Sequence, residues 1–240
     1  MYLPDPHGKF IDWRAAECAF AFQRAHRPHI VIVGGDAVDF YQLSRFDKNP
    51  KRINDLQKDV DAAVRFLRLV RKHAPRARIE FLKGNHEDRM RRWSWGPGAG
   101  AHSLKCLQLP KLLELGDLGI GYHESGVLKV KNITFKHGDV VKKGAGNSAR
   151  AEMEREGTST CSGHTHRVGE VTRRTRGGFY KGVECGCLCQ LNPEYGNGSV
   201  MDWAHGLGYG AFTDSGRFTL HTANIVNGKT FYGDRVIAAQ

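Results

Sequence analysis

His29-Ile30-Val31-Ile32-Val33-Gly34-Gly35-Asp36 is the stretch that decides the fold class. A β-rich apolar run ends on two glycines, and a carboxylate follows at once. Ile79-Glu80-Phe81-Leu82-Lys83-Gly84-Asn85-His86 repeats the plan. Short apolar runs that stop at glycine read as buried strands, and polar residues just past their carboxyl ends lie where the loops of an α/β sheet converge. Between the two runs, Leu56, Val60, Val64, Leu67 and Val70 recur at helical spacing. Asn54 and Gln57 are placed as a capping box, and Pro75 lies beyond the end, so the spacing predicts a helix with its basic residues on the outer face.

Working outward, a second helix is expected from about Asp12 to Arg24, with Trp13, Ala16 and Phe20 on one side. The later chain reads as β: Val127–Lys131, Ile133–Lys136, Phe179–Gln190 and Phe218–Thr222 alternate or are β-rich. Asn227-Gly228 signals a turn before Thr230-Phe231-Tyr232. The expected architecture is α/β: two packed mixed β-sheets flanked by helices, in a single domain over residues 1–240.

The longest uninterrupted apolar runs are only a few residues, so no membrane span is expected, and the polar N-terminus lacks the order of a signal peptide. The six cysteines are clustered rather than spread as a disulfide framework, which agrees with a reducing, cytoplasmic setting. Net charge is +11. Arg65–Arg92 holds ten basic and three acidic residues, and further bases follow the polar motifs: Arg89, Arg91 and Arg92; Lys142 and Lys143; Arg167. If the motifs meet in one cleft, these bases form a positive rim for phosphate-bearing substrates, nucleic acid among them. A solvated helix face with ordinary solubility charge is the alternative. Oligomeric state is left open.

Five polar motifs occur in order: Asp5-Pro6-His7, Gly35-Asp36-Ala37-Val38-Asp39, Gly84-Asn85-His86-Glu87, His137-Gly138-Asp139 and Gly163-His164-Thr165-His166. Any one is weak in a chain with 12 histidines, but their order and contexts carry a signal. The set resembles the calcineurin-like metallophosphoesterases, a superfamily of phosphatases, phosphodiesterases and nucleases. Cys185-Gly-Cys-Leu-Cys189-Gln-Leu-Asn-Pro-Glu-Tyr195 with Trp203-Ala-His-Gly206 is similar, less specifically, to the phage and prophage branch.

That resemblance implies two divalent cations, of Mn, Fe, Zn or Ni with Mn favoured, in the cytoplasm of a bacterium or phage-infected cell. It implies Asp5, His7, Asp36 and His166 on the first metal and Asp36, Asn85, His137 and His164 on the second. Two such cations neutralise phosphoryl oxygens and activate a water for in-line attack. It also implies His86 as general acid, with Asp39 orienting its imidazole. Two departures are visible. Only Met1–Pro4 precede Asp5, so the first strand is very short, and either the start is truncated or that edge frays. Phe40 stands where phosphoprotein phosphatases of the superfamily carry an arginine for substrate phosphate.

The expected activity is metal-dependent phosphoester hydrolysis, leaning to phosphodiesters because of the basic rim and the missing arginine. A phosphomonoesterase and a non-catalytic metal-bound scaffold are the alternatives. Cys185, Cys187 and Cys189 alternate, so on a strand they face one way. Core packing is preferred for them over a soft-metal site. Trp93 and Trp95 read either as a flap that stacks on a base or as a lid on the core. His205 is given a structural role.

Overall fold

The computed structural model describes residues 1–49, 56–192 and 200–239. Asn54 of the expected capping box, and the 193–195 end of the cysteine motif, lie outside the described residues. In chain order the elements are β1 (Tyr2–Leu3), α1 (Trp13–His26), β2 (Ile30–Val33), α2 (Leu56–His73), β3 (Arg78–Leu82), α3 (Glu87–Trp95), α4 (Leu109–Leu112) and β4 (Ile120–His123). There follow β5 (Val127–Val130), β6 (Ile133–Lys136), α5 (Asn147–Glu156), β7 (Ser159–Ser162), β8 (Val168–Thr175), β9 (Gly178–Cys185), β10 (Gly206–Phe212), β11 (Phe218–Asn224), β12 (Lys229–Tyr232) and β13 (Arg235–Ala238).

Two mixed sheets pack with helices outside them, as the sequence predicts. The first has the order β11-β10-β1-β2-β3-β4, and the second β5-β6-β7-β9-β8. Strands β1 to β4 run parallel, with β10 antiparallel to β1; in the second sheet β6, β7 and β9 run parallel. Strand β1 is short, yet it is interior rather than a frayed edge: Tyr2 and Leu3 are buried, and Met1 donates its α-amino N–H to the Ile30 carbonyl at 2.9 Å.

Side-chain alternation divides the core into two layers. Leu3, Val31, Val33, Ile79 and Phe81 face helices α1 and α2, meeting Phe20, Phe66 and Leu67. Tyr2, Ile32 and Leu82 face the other way, against Leu128, Phe135, Cys161 and Val183 of the second sheet. Burying a side chain such as Phe66 contributes roughly 1.5–3 kcal/mol, so each layer supplies a large share of the stability. Helix α1 begins where Asp12 Oδ1 accepts the Ala15 N–H at 2.9 Å, and it closes at Arg27 in the left-handed region. Its outer side carries the β12–β13 hairpin, which follows a turn at Asn227 and Gly228, both at positive φ, while α5 covers β7 and β9. No helix among the described residues is long and apolar enough to cross a membrane.

The cysteine reading is corrected in part. Strand β9 ends at Cys185, because Gly186 turns to φ +76°, so the three thiols do not share a strand face. All three are buried, but Cys185 lies 3.4 Å from Cys161 in the inter-sheet core, whereas Cys189 faces His166. His205 donates from Nε2 to the Cys189 carbonyl at 2.8 Å.

Candidate metal centre

Every loop that carries a polar motif leaves the same end of the two sheets. Asp5 and His7 follow β1, Asp36 and Asp39 follow β2, Asn85 and His86 follow β3, His137 follows β6, and His164 and His166 follow β7. The backbone there is unusual. Asp5, His7, Asp36, His164 and His166 all have positive φ, between +44° and +67°. Such conformations cost about 1–3 kcal/mol each in non-glycine residues and persist only where the surroundings impose them. Glycine is needed where these loops touch, since a Cβ on Gly84 would collide with the Asp36 carboxylate.

Buried carboxylates brace the loops. Glu87 accepts N–H groups from Asp36 at 2.8 Å, Ala37 at 2.7 Å and Gly84 at 2.7 Å, tying the β2 and β3 loops together. Asp59, on α2, accepts from Asp39 at 3.0 Å and Phe40 at 2.6 Å. Glu152 accepts from Asp139 and Val140 at 2.8 and 2.9 Å, and Glu184 accepts the Thr165 hydroxyl at 3.0 Å. Burial pushes both Glu87 and Asp59 up in pKa, Glu87 further because of the Asp36 carboxylate and Asp59 because of the Asp39 carboxylate. These braces escaped the sequence reading, although Glu87 directly follows the Asn85-His86 pair.

The inner atoms converge on two points. His137 Nδ1 lies 2.9 Å from the Gly34 carbonyl, which can only accept, so Nδ1 carries a proton and Nε2 is the ring nitrogen turned inward. That Nε2 is 2.9 Å from Asn85 Oδ1, 3.2 Å from His164 Nδ1 and 3.4 Å from Asp36 Oδ2. On the other side His7 Nε2 is 3.1 Å from His166 Nε2 and 3.8 Å from the same Asp36 Oδ2, with His166 Nε2 3.7 Å from Asp5 Oδ1. Lone pairs brought this close in a buried space need either a shared proton or a cation between them. Among the described residues, donor atoms within 4.8 Å of one another form the groups Asp36-His137-His164, His7-Asp36-His86 and His7-His166-Cys189.

The proton equilibria agree. Burial disfavours charge on His137, but the Asp36 carboxylate outweighs it and raises the imidazole to about 10. Asp36 is likewise opposed by burial yet held well below the carboxylate range by His137 and His86. Burial and then His137 lower His164 to about 4, and burial and then His7 lower His166 well below the imidazole range, so both imidazoles remain neutral. Burial raises Asp5 to about 7, with His137 opposing. In chemical terms a proton on His137 does the work that a cation would do, and the donor set of carboxylate, imidazole and amide fits divalent transition ions.

His86 sits beside this cluster. Its Nδ1 is 3.0 Å from Asp39 Oδ1, and its Nε2 accepts from Arg89 Nη2 at 3.0 Å and lies 3.7 Å from Asp36 Oδ2. Its pKa is raised: burial opposes the charge, and Asp36 and Asp39 overcome that opposition. The seven expected ligands, with His86 and Asp39, therefore meet in one place.

The basic residues do not form one even rim. Arg89 packs against His86, whereas Arg91 and Arg92 turn to Asp88 at 2.5 and 2.8 Å. Arg167 pairs with Asp202 at 3.0 Å, and Lys142 and Lys143 are exposed. Trp93 packs on the core, while Trp95 is exposed with the Arg91 guanidinium 4.4 Å from its ring. Phe40 is wholly buried. No family model matches the chain, and no curated protein matches it.

Proposed function

We propose that the chain is a two-metal phosphoester hydrolase of the calcineurin-like metallophosphoesterase type. The observation that carries this reading is the convergence of two donor sets on one shared oxygen, Asp36 Oδ2, which lies 3.4 Å from His137 Nε2 and 3.8 Å from His7 Nε2. Asp5, His7, Asp36 and His166 would hold one divalent cation, and Asp36, Asn85, His137 and His164 the other. Cations held there would supply charge neutralisation of the phosphoryl oxygens and acidification of a bound water.

The chain's own residues account for the rest. Asp39 holds the His86 ring through Nδ1, and Nε2, which accepts from Arg89 Nη2 at 3.0 Å in this structure, would hand a proton to the departing oxygen once that contact is released. Glu87 and Asp59 keep the Asp36 and Asp39 loops from relaxing, which preserves the donor spacing before any ligand arrives. A purely scaffolding role would need neither the His86–Asp39 pair nor its placement beside the cluster.

Turnover of a simple aryl phosphomonoester and an aryl phosphodiester by metal-loaded protein, with Mn present, tests the reading. Hydrolysis of either, abolished by chelation and restored by Mn, is the expected result. Full metal loading without turnover of any phosphoester would favour the scaffold.

A further inference from the structure

The sequence leans to diesters for two reasons, and both read differently in three dimensions. Phe40, where an arginine for substrate phosphate is missing, has its ring wholly buried, so that position cannot reach a ligand at all. A guanidinium arrives instead from the first turn of α3. Arg89 Nη1 donates to the Asp39 carbonyl at 2.7 Å, and Nη2 lies 3.0 Å from His86 Nε2. The side chain is only 17% exposed, against 41% for Arg91 and 60% for Arg92. The carboxylate nearest to it, Asp39 Oδ1, is 3.8 Å away, too far for a hydrogen bond. Arg89 is thus the least exposed of the three α3 arginines and lies beside the candidate general acid, with its carboxylate partner Asp39 at 3.8 Å, while Arg91, Arg92 and Arg167 pair at closer range with Asp88 and Asp202.

Resting on the hydrolase reading above, we propose that Arg89 binds a terminal phosphoryl oxygen of the substrate and biases the site towards dianionic phosphomonoesters. A monoester carries one more negative charge on its terminal oxygens than a diester, in which an alkyl or aryl group occupies that position. The guanidinium is a planar fork suited to two phosphate oxygens, and it is held in place by Asp39 before the substrate binds. Its low exposure strengthens the attraction relative to a solvated side chain.

Arg89→Ala, Arg89→Lys and, as a control for lost charge on the exposed β8 strand, Arg174→Ala are compared with the wild type. The readouts are kcat and KM on matched aryl mono- and diesters, and calorimetric binding of inorganic phosphate to the metal-loaded protein. The expected result for Arg89→Ala is a fall of ~10²-fold or more in kcat/KM for the monoester and less than ~10-fold for the diester, by analogy with removing one preorganised charge donor. Phosphate affinity should fall by ~10-fold or more, with lysine restoring part of both and Arg174→Ala changing neither. Equal losses on the two esters with unchanged phosphate affinity would overturn the proposal and leave Arg89 as a support for His86. A wild type that prefers the diester would overturn the bias. If the wild type turns over neither ester, the hydrolase reading falls, and phosphate binding alone then decides the role of Arg89. Should Arg89→Ala fail to fold, Arg89→Lys carries the same comparison.

Discussion

The space between the two sheets has two ends, built from the same strands and unlike in every other respect. At the carboxyl ends of β1, β2 and β7 the chain turns through strained loops, and buried acids face imidazoles across 3–4 Å. At the opposite end lies a cavity of about 500 Å³ lined by Ile30, Ile32, Val130, Ile133, Phe135 and Leu220, among others. Tyr2 stands between them. Its ring lines the cavity, while its hydroxyl donates to the carbonyl of Lys136 at 2.8 Å and lies 3.3 Å from that of Gly34, just ahead of the loops that carry His137 and Asp36. The difference separates two tasks. One end contributes stability through apolar burial, and the other spends stability on a preorganised polar cluster.

Substitutions at the two ends should therefore fail in different ways. The largest effect is expected at His86→Ala, which should lower kcat by ~10²–10⁴-fold on substrates with poor leaving groups while metal content stays nearly intact. Activated aryl esters should lose less; an equal loss would argue against proton donation. Next is Glu87→Gln, which places an amide N–H₂ among backbone N–H donors. It should destabilise the fold by about 3 kcal/mol, and metal affinity should drop ~10–100-fold, as expected for an outer partner. Denaturant titration together with Mn binding checks both.

At the apolar end, Leu220→Ala should cost about 2–3 kcal/mol of stability and leave metal affinity unchanged. A parallel loss of metal would break the separation between the ends. Tyr2→Phe sharpens it, because it removes only the hydroxyl that joins them. The expected loss is about 1 kcal/mol, read as a fall of about 2–4 °C in Tm.

These ends were not equally legible in the sequence. The β2 and β3 loops could be read because an apolar run, a glycine and a polar site residue follow one another within a few residues. Strand β7 could not: Ser159-Thr160-Cys161-Ser162 is fully buried yet carries no apolar period, its small residues fitting between β6 and β9. Strand β10 hides similarly behind Gly206, Gly208 and Gly210, where close neighbours leave no room for side chains. In the site, the residues that cluster announced themselves through motif order, but their braces did not. An acid in the first turn of a helix, such as Glu87, reads as a partner for the helix dipole, and only the fold shows it gripping the next loop. The charged rim misled for a related reason. Sequence counts arginines, whereas Asp88 decides which of Arg89, Arg91 and Arg92 faces inward.

The central claim is that Asp36 is shared by two cations, and counting bound metal tests it most directly. Purified protein stripped with chelator and reloaded with Mn should bind two equivalents by calorimetry and elemental analysis, and Asp36→Asn should lose at least one of them. A wild type that binds fewer than two, or an Asp36→Asn variant that keeps both at wild-type affinity, would contradict the account.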